Sequence, residues 1–270
     1  MKRSRALVDN RRNKVLLALQ SNGFVKVQEL AEELQVSPLT IRRDLQYLED
    51  QKKLERFYGG ATVKDRVPEI YTEQDEVKLY RQRIAEYAAS LVEDGDTIFI
   101  NTSSTALQMI KYIKDKRVTV ITNNGKAIFM EHSSNVSIIL SGGELREIKE
   151  AMVGEFATNN ISKVTAKKSF IGCSGLSPES GMTTEILSEV NINQLMLQRV
   201  TGTSYILADH TKLGRNSSFV SCPTESLLNV ITDEKAPAEI TDGFREHEVN
   251  VFCVTKDGHL LRDSGSAELS

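Results

Sequence analysis

The chain of 270 residues has no tryptophan, and aromatic residues make up only 6% of it. Cysteine is nearly as scarce. Cys173, Cys222 and Cys253 stand far apart and form no CxxC pair. That spacing excludes a disulfide framework and a zinc knuckle, and it suits the reducing cytoplasm expected for this chain. Long apolar runs are missing too: none approaches the ~18 residues that a membrane span needs, so no membrane partner is expected. The opening Met1-Lys2-Arg3-Ser4-Arg5 leads into no apolar stretch, so no signal peptide is expected. There is no internal repeat and no low-complexity tract. The four histidines, His132, His210, His247 and His259, have no metal-ligand spacing. Neither a metal nor another cofactor is expected.

The overall net charge is modest, at −3, but it is unevenly distributed. Residues 1–64 hold 13 Lys/Arg against 8 Asp/Glu, a net of +5, and the remainder holds 21 against 29, a net of −8. A basic leading piece on an acidic body implies that only the first piece touches a polyanion.

The densest local signal is Val36-Ser37-Pro38-Leu39-Thr40-Ile41-Arg42-Arg43-Asp44-Leu45. Ser37 is a suitable N-cap, and Pro38 fits the first helical position, where a missing N–H has no partner to lose. Ile41, Leu45 and Leu48 make one apolar stripe. Thr40, Arg43 and Tyr47 make another face, with Arg42 and Gln46 beside it. Such a helix fits a DNA major groove. Read alone, it fits an ordinary surface helix with two exposed arginines equally well.

The flanking residues favour the first reading. A loose basic lead over 1–8 precedes a helix from about Asp9 to Ser21, with Val15, Leu16 and Leu19 on its buried side and Asn22-Gly23 ending it. A second helix is expected from Val27 to Leu34, and only Gln35-Val36-Ser37 separates it from the third. Two short helices joined by so short a turn form a helix-turn-helix, here about 25–44. Leu54–Ala61 then reads as a short alternating strand ending in a Gly-Gly turn. It would be a wing able to bring Arg56 or Tyr58 near DNA. The candidate DNA-contacting residues are Ser37, Thr40, Arg42, Arg43, Gln46, Tyr47, Arg56 and Tyr58, with double-stranded operator DNA as the partner.

Residues 8–63 are therefore expected to form a winged helix-turn-helix domain, 64–78 a linker, and 79–270 a larger α/β domain. In that domain a helix up to Val92 is followed by strand-like runs at 96–100, 118–122, 136–140, 168–171, 204–208, 228–232 and 249–254. Helical stretches separate most of them, at about 104–114, 125–132, 184–199 and 236–246. The alternation predicts a largely parallel sheet, and ligands of such sheets bind beyond the strands' carboxyl ends.

Five loops on that edge are polar. Asn101-Thr102-Ser103-Ser104-Thr105 opens a helix and offers hydroxyls and N–H groups to a phosphate, although a plain Ser/Thr-rich cap would look the same. Thr122-Asn123-Asn124 follows the next strand. In Ser141-Gly142-Gly143-Glu144-Leu145-Arg146, the glycines permit close backbone approach and Arg146 supplies a cation. Gly172-Cys173-Ser174-Gly175 continues to Thr183 and Glu185, and Ala208-Asp209-His210-Thr211-Lys212 closes the series. Together they describe a pocket for a small, polar, phosphorylated molecule. Its candidate residues are Thr102, Ser103, Ser104, Thr105, Asn123, Asn124, Gly142, Gly143, Arg146, Gly172, Gly175, Thr183, Glu185, Asp209 and Lys212.

These motifs in this order, from Gly23-Phe24-Val25 and Thr40-Ile41-Arg42-Arg43-Asp44-Leu45 through Gly59-Gly60-Ala61 to Ala208-Asp209-His210-Thr211-Lys212, resemble the DeoR family of bacterial transcriptional regulators. The resemblance implies that Arg42 and Arg43 approach DNA, with Asp44 orienting a neighbouring arginine. It also implies an effector domain similar in fold to ribose-5-phosphate isomerase that senses a phosphorylated sugar. The chain departs from the family pattern at Asn101, where Asp is usual, and at Cys173-Ser174. Activity does not follow from a shared fold. Isomerisation needs a carboxylate base, and the loop Gly172–Gly175, where the isomerase carries its acids, has none. No Lys follows in Ser180–Thr183 to stabilise an enediolate. The reading is a DNA-binding regulator and not an enzyme: a repressor of a carbohydrate-utilisation operon, working as a homodimer or homotetramer. An activator, or a regulator that needs no ligand, remains open on sequence alone, as, less favoured, does an active isomerase.

Overall fold

The computed structural model describes residues 8, 11–19, 24–51, 53–57, 60–62 and 73–261. The chain divides into two compact units, Met1–Tyr71 and Thr72–Ser270.

In the smaller unit, helix α1 covers 11–19. Strand β1 (Phe24–Lys26) runs directly into α2 (Val27–Glu33), and α3 spans Pro38–Asp50. Strands β2 (Glu55–Phe57) and β3 (Gly60–Thr62) complete an antiparallel sheet in the order β1-β3-β2. The single alternating strand expected at 54–61 is thus a two-stranded wing, and β1 adds a third strand that was not expected. Val15, Leu19, Leu30, Ile41, Leu45 and Leu48 form one core with Leu54 and Ala61. The turn between α2 and α3 is a Schellman motif. Val36 N–H donates to Ala31 O at 3.0 Å and Gln35 N–H to Glu32 O at 3.2 Å, with Gln35 in the left-handed region at φ 51°. As expected, Ser37 caps α3, its hydroxyl accepting from Thr40 N–H at 3.2 Å, and Pro38 occupies the first helical position.

The larger unit opens with α4 (Glu73–Ser90), so 73–78 of the expected linker are helical. Seven strands follow in one sheet: β4 (Thr97–Ile100), β5 (Val118–Thr122), β6 (Val136–Leu140), β9 (Ala166–Gly172), β12 (Val200–Leu207), β14 (Asn229–Asp233) and β15 (Asn250–Val254). Their order is β15-β14-β12-β9-β4-β5-β6, and every pairing is parallel. Such a sheet must be buried on both faces. Ile98 and Ile100 belong to a core with α4 residues Ile84 and Ala88, while Phe99 between them faces a second core with Ile161, Ile192 and Phe244.

Three features outside the main sheet were not expected. They are the hairpin β7–β8 (Glu144–Arg146 and Ala151–Val153), helix α6 (Glu155–Ser162), and a small antiparallel sheet of β10 (Gly175–Ser177), β11 (Gly181–Thr184) and β13 (Phe219–Cys222). The helix expected at 104–114 splits into α5 (Ser104–Gln108) and a 3-10 turn at Met109–Tyr112. The stretch 125–132 holds only a 3-10 turn, Gly125–Phe129. Helices α7 (Leu187–Gln198) and α8 (Ala238–Glu246) lie within the expected spans.

Candidate functional site

In α3, the side chains of Ile41, Asp44, Leu45 and Leu48 are buried. Leu39, Arg42, Arg43 and Gln46 are exposed at the same helical spacing on the opposite face. The two arginines therefore project outward, as a groove-reading helix requires. Leu39, 55% exposed, adds an apolar contact to this face that was not anticipated. Ser37 and Thr40 are tied to each other by their hydroxyls at 2.9 Å. Gln46 and Arg56 are bonded to one another; Gln46 also donates to Asp50 at 3.0 Å, and Arg56 N–H to Glu49 at 3.0 Å. Tyr58 lies outside the described residues.

Asp44 does not orient Arg42 or Arg43. It is 2% exposed and accepts from Arg11 Nε at 2.5 Å and Arg12 Nε at 2.9 Å. Arg12 in turn lies over the Tyr47 ring, 3.6 Å from its centre. Tyr47 is thus a platform for an arginine of α1. Neither Arg11 nor Arg12 had a local signal, because only the packing of α1 on α3 brings them there.

In the larger unit the chain runs outward from β4 through β5 to β6, then restarts at β9 on the other side of β4. The switch point lies between β4 and β9, where an open parallel sheet leaves a crevice. A cavity of about 260 Å³ opens there. That is below the roughly 300–1,000 Å³ of drug-sized sites, so it suits a small ligand. Its lining contains Thr102, Ser103, Ser104, Asn124, Gly172 and Lys212, all expected, and Lys126, Lys149, Cys173 and Glu189, which were not.

Asn101 builds the crevice without lining it. It is buried, its Oδ1 accepts from Gly172 N–H at 3.0 Å and Ser103 N–H at 3.2 Å, and its Nδ2 donates to Gly172 O at 2.9 Å and Asn193 Oδ1 at 2.9 Å. An amide both donates and accepts, so Asn can clamp the ends of β4 and β9 where a carboxylate could only accept. A Cβ on Gly172 would meet Ser103 Oγ at 2.0 Å, so only glycine lets the two loops touch. Lys212 reaches across, its Nζ donating to Cys173 O at 2.8 Å. Among the described residues, no carboxylate lies within ion-pair distance of Lys212. Burial pushes the Cys173 thiol up to about 11, which makes it a packing group and a poor nucleophile.

The other expected ligand contacts lie outside the lining of this cavity. Thr105 is buried in α5. Asn123 Nδ2 donates to Met152 O at 3.2 Å and so ties β8 beside β5. Gly142 and Gly143 have φ of 69° and 112° at the entrance to the β7–β8 hairpin, where backbone freedom is needed. Arg146 is exposed and paired with Glu144 at 3.2 Å. Gly175 packs against Arg215 O, and Thr183 donates to Gly175 O at 3.0 Å. Glu185 is exposed beyond β11.

Asp209 is fully buried and accepts from Arg81 Nε of α4 at 2.7 Å. Burial opposes its ionisation, but the Thr211 hydroxyl and the Arg81 guanidinium outweigh that and hold the carboxyl below its ordinary value. Next to it, His210 Nδ1 meets Asp233 at 2.8 Å, and burial pushes the Asp233 carboxyl up. No helix among the described residues is long and apolar enough to cross a membrane.

Comparison with known proteins accords with both units. Residues 11–67 match the family model of a DeoR-like helix-turn-helix domain, and residues 77–234 match that of a DeoR C terminal sensor domain. The HTH-type transcriptional regulator YulB of Bacillus subtilis (strain 168) is 30% identical over 252 residues, covering 92% of this chain and 97% of that protein. The lactose phosphotransferase system repressor of Staphylococcus aureus (strain N315) is 32% identical over 233 residues, covering 83% of this chain and 91% of that one. Among solved structures, ribose 5-phosphate isomerase A from Methanocaldococcus jannaschii is 15% identical with a TM-score of 0.37, over 53% of this chain and 55% of its own, which carries no argument about activity. On the sensor-domain match, the helix-turn-helix match and the full-length relatives, the chain belongs to the DeoR family of transcriptional regulators, with a DNA-binding unit and a sensor domain for a small-molecule effector.

Proposed function

We propose that this chain is a repressor of a carbohydrate-utilisation operon whose DNA affinity is set by a phosphorylated sugar bound between β4 and β9. The observation that carries the reading is Lys212. Its ammonium lines a small polar cavity with a backbone carbonyl as its hydrogen-bond partner and, among the described residues, no carboxylate within ion-pair distance, which leaves its charge for an anionic ligand. The hydroxyls of Thr102, Ser103 and Ser104 and the amide of Asn124 surround the same space and suit a polyol phosphate.

The protein senses this ligand without turning it over and needs no cofactor. Among the lining residues Glu189 is the single carboxylate, and its oxygens are already occupied by Thr102, Thr184 and Lys149, so it is no ready base. The Staphylococcus aureus relative named above, a lactose phosphotransferase system repressor, supports the carbohydrate assignment. Arg42, Arg43 and Leu39 read operator half-sites spaced by one helical turn, ~34–36 Å, or a multiple, in a homodimer or homotetramer of the cytoplasm.

A thermal-shift screen of pentose and hexose phosphates against the free sugars tests the ligand, followed by DNA-binding anisotropy with any hit. A phosphate-dependent rise in melting temperature is expected. Stabilisation by free sugars equal to that by their phosphates contradicts the role of Lys212. Arg43→Ala should weaken specific DNA binding by ~1–3 kcal/mol if the side chain makes a bidentate base contact. Unchanged operator affinity refutes the placement of the reading face.

A further inference from the structure

Glu189 lies in the first turn of α7 and is 4% exposed. Four donor contacts saturate its carboxylate. Oε1 accepts from the Thr102 hydroxyl at 2.8 Å and Oε2 from the Thr184 hydroxyl at 2.7 Å, while Lys149 Nζ stands 3.2 Å from each oxygen. The two threonines belong to the framework. Lys149 differs: its side chain is 40% exposed, and it is carried on the turn joining β7 to β8. That turn holds two consecutive residues in the left-handed region, Lys149 at φ 65° and Glu150 at φ 46°, a conformation that neither side chain favours. Both members of the Lys149–Glu189 pair line the cavity.

We infer that the Lys149–Glu189 pair is an internal stand-in for the effector, which must replace both halves of it at once. This rests on reading the cavity as a sugar-phosphate site. The ligand's phosphate draws Lys149 off Glu189. The carboxylate lone pairs so released face the cavity and accept hydroxyls from the sugar carbons. A bare phosphate draws the lysine away but leaves a buried carboxylate without its cation, an arrangement that is strongly unfavourable. A free sugar offers hydroxyls to a carboxylate whose acceptor positions are already filled. The pair therefore selects molecules carrying an anion and a polyol together. It gives Glu189 a discriminating role in a site where it performs no chemistry. The unfavoured backbone at Lys149 and Glu150 adds a local reason for the hairpin end to shift when the pair is exchanged.

Isothermal titration of the full-length protein with inorganic phosphate tests this directly. In Glu189→Gln, the amide keeps the two threonine contacts and releases Lys149. This variant should bind inorganic phosphate about tenfold tighter than the parent, equivalent to about 1.4 kcal/mol. Adding Lys149→Met to Glu189→Gln should abolish the gain. The preference for ribose 5-phosphate, glucose 6-phosphate or fructose 6-phosphate over inorganic phosphate should shrink in Glu189→Gln. Phosphate affinity in Glu189→Gln equal to or below the parent's, or a gain that survives Lys149→Met, overturns the inference. Should Glu189→Gln not fold, Lys149→Met alone decides: it should weaken the tightest of the three sugar phosphates about tenfold, and an unchanged affinity overturns the inference. Failure of the cavity reading is a separate result, in which the parent binds none of the three sugar phosphates while the phosphate titrations still judge the exchange.

Discussion

Replacing Asp44 by alanine tests whether the reading helix is held in place by α1. The buried carboxylate receives Arg11 Nε at 2.5 Å and Arg12 Nε at 2.9 Å. Its loss leaves two guanidinium groups without an anion. Removing one partner of a fully buried pair costs about 3–5 kcal/mol. Each arginine side chain here keeps 21% of its exposure, so water recovers part of the loss. About 2–3 kcal/mol is the reasonable expectation. In a unit of this size that lowers the melting temperature by about 10–20 °C. Differential scanning calorimetry is the suitable assay, because the two units need not unfold together. The transition of the smaller unit should fall and that of the larger one should not. Asp44→Asn, which keeps one acceptor oxygen, should fall by a smaller amount. DNA affinity should fall as well, since Arg12 loses its anchor above Tyr47. A smaller-unit transition within about 2 °C of the parent's would refute the reasoning.

Two further outcomes are expected. Gln35→Gly should stabilise the smaller unit by about 0.5–1 kcal/mol, because Gln35 at φ 51° is exposed and glycine carries no Cβ penalty there; urea unfolding showing a loss of stability contradicts the Schellman turn. Arg81→Met should move acid unfolding of the larger unit to higher pH. The Asp209 carboxyl is depressed in the folded protein, so its stabilising contribution is present above the unfolded value of about 3.9 and is lost as pH falls through the folded value. Without Arg81, less opposes the effect of burial and that folded value rises. Asp233, which burial shifts the other way, is common to both proteins. A pH titration by circular dichroism with coincident acid limbs contradicts the role of Arg81.

The parts of the molecule that were legible in the sequence depend on neighbours close in the chain. Ser37 and Pro38 at the start of α3, the stripe Ile41, Leu45 and Leu48, and the short β-branched runs of the sheet all carry their meaning within a few residues. The polar loops of the site were legible because a parallel sheet gathers its strand ends on one edge. What each loop residue does there was not. Asp209 and Lys212 read alike as polar loop residues, yet one is buried against Arg81, 128 positions away, and the other faces the cavity. Gly172 and Gly143 signal a backbone need without saying whether a ligand or a neighbouring loop imposes it. Glu189 looks like any acid in the first turn of a helix, and Lys149 like any hairpin lysine. Their meeting across 40 residues is a product of the fold alone. Arg12 above Tyr47 is the same kind of fact in the smaller unit.

The central claim is that an anion held by Lys212 controls what Arg42 and Arg43 do on DNA. The most direct measurement is fluorescence anisotropy on operator DNA selected by this protein from a random pool, with and without the tightest sugar phosphate. In the parent, the ligand should change DNA affinity by roughly 5- to 150-fold, a coupling of about 1–3 kcal/mol. In Lys212→Met, affinity without ligand should equal the parent's and the ligand should change nothing. A parent-like ligand response in Lys212→Met would contradict the account.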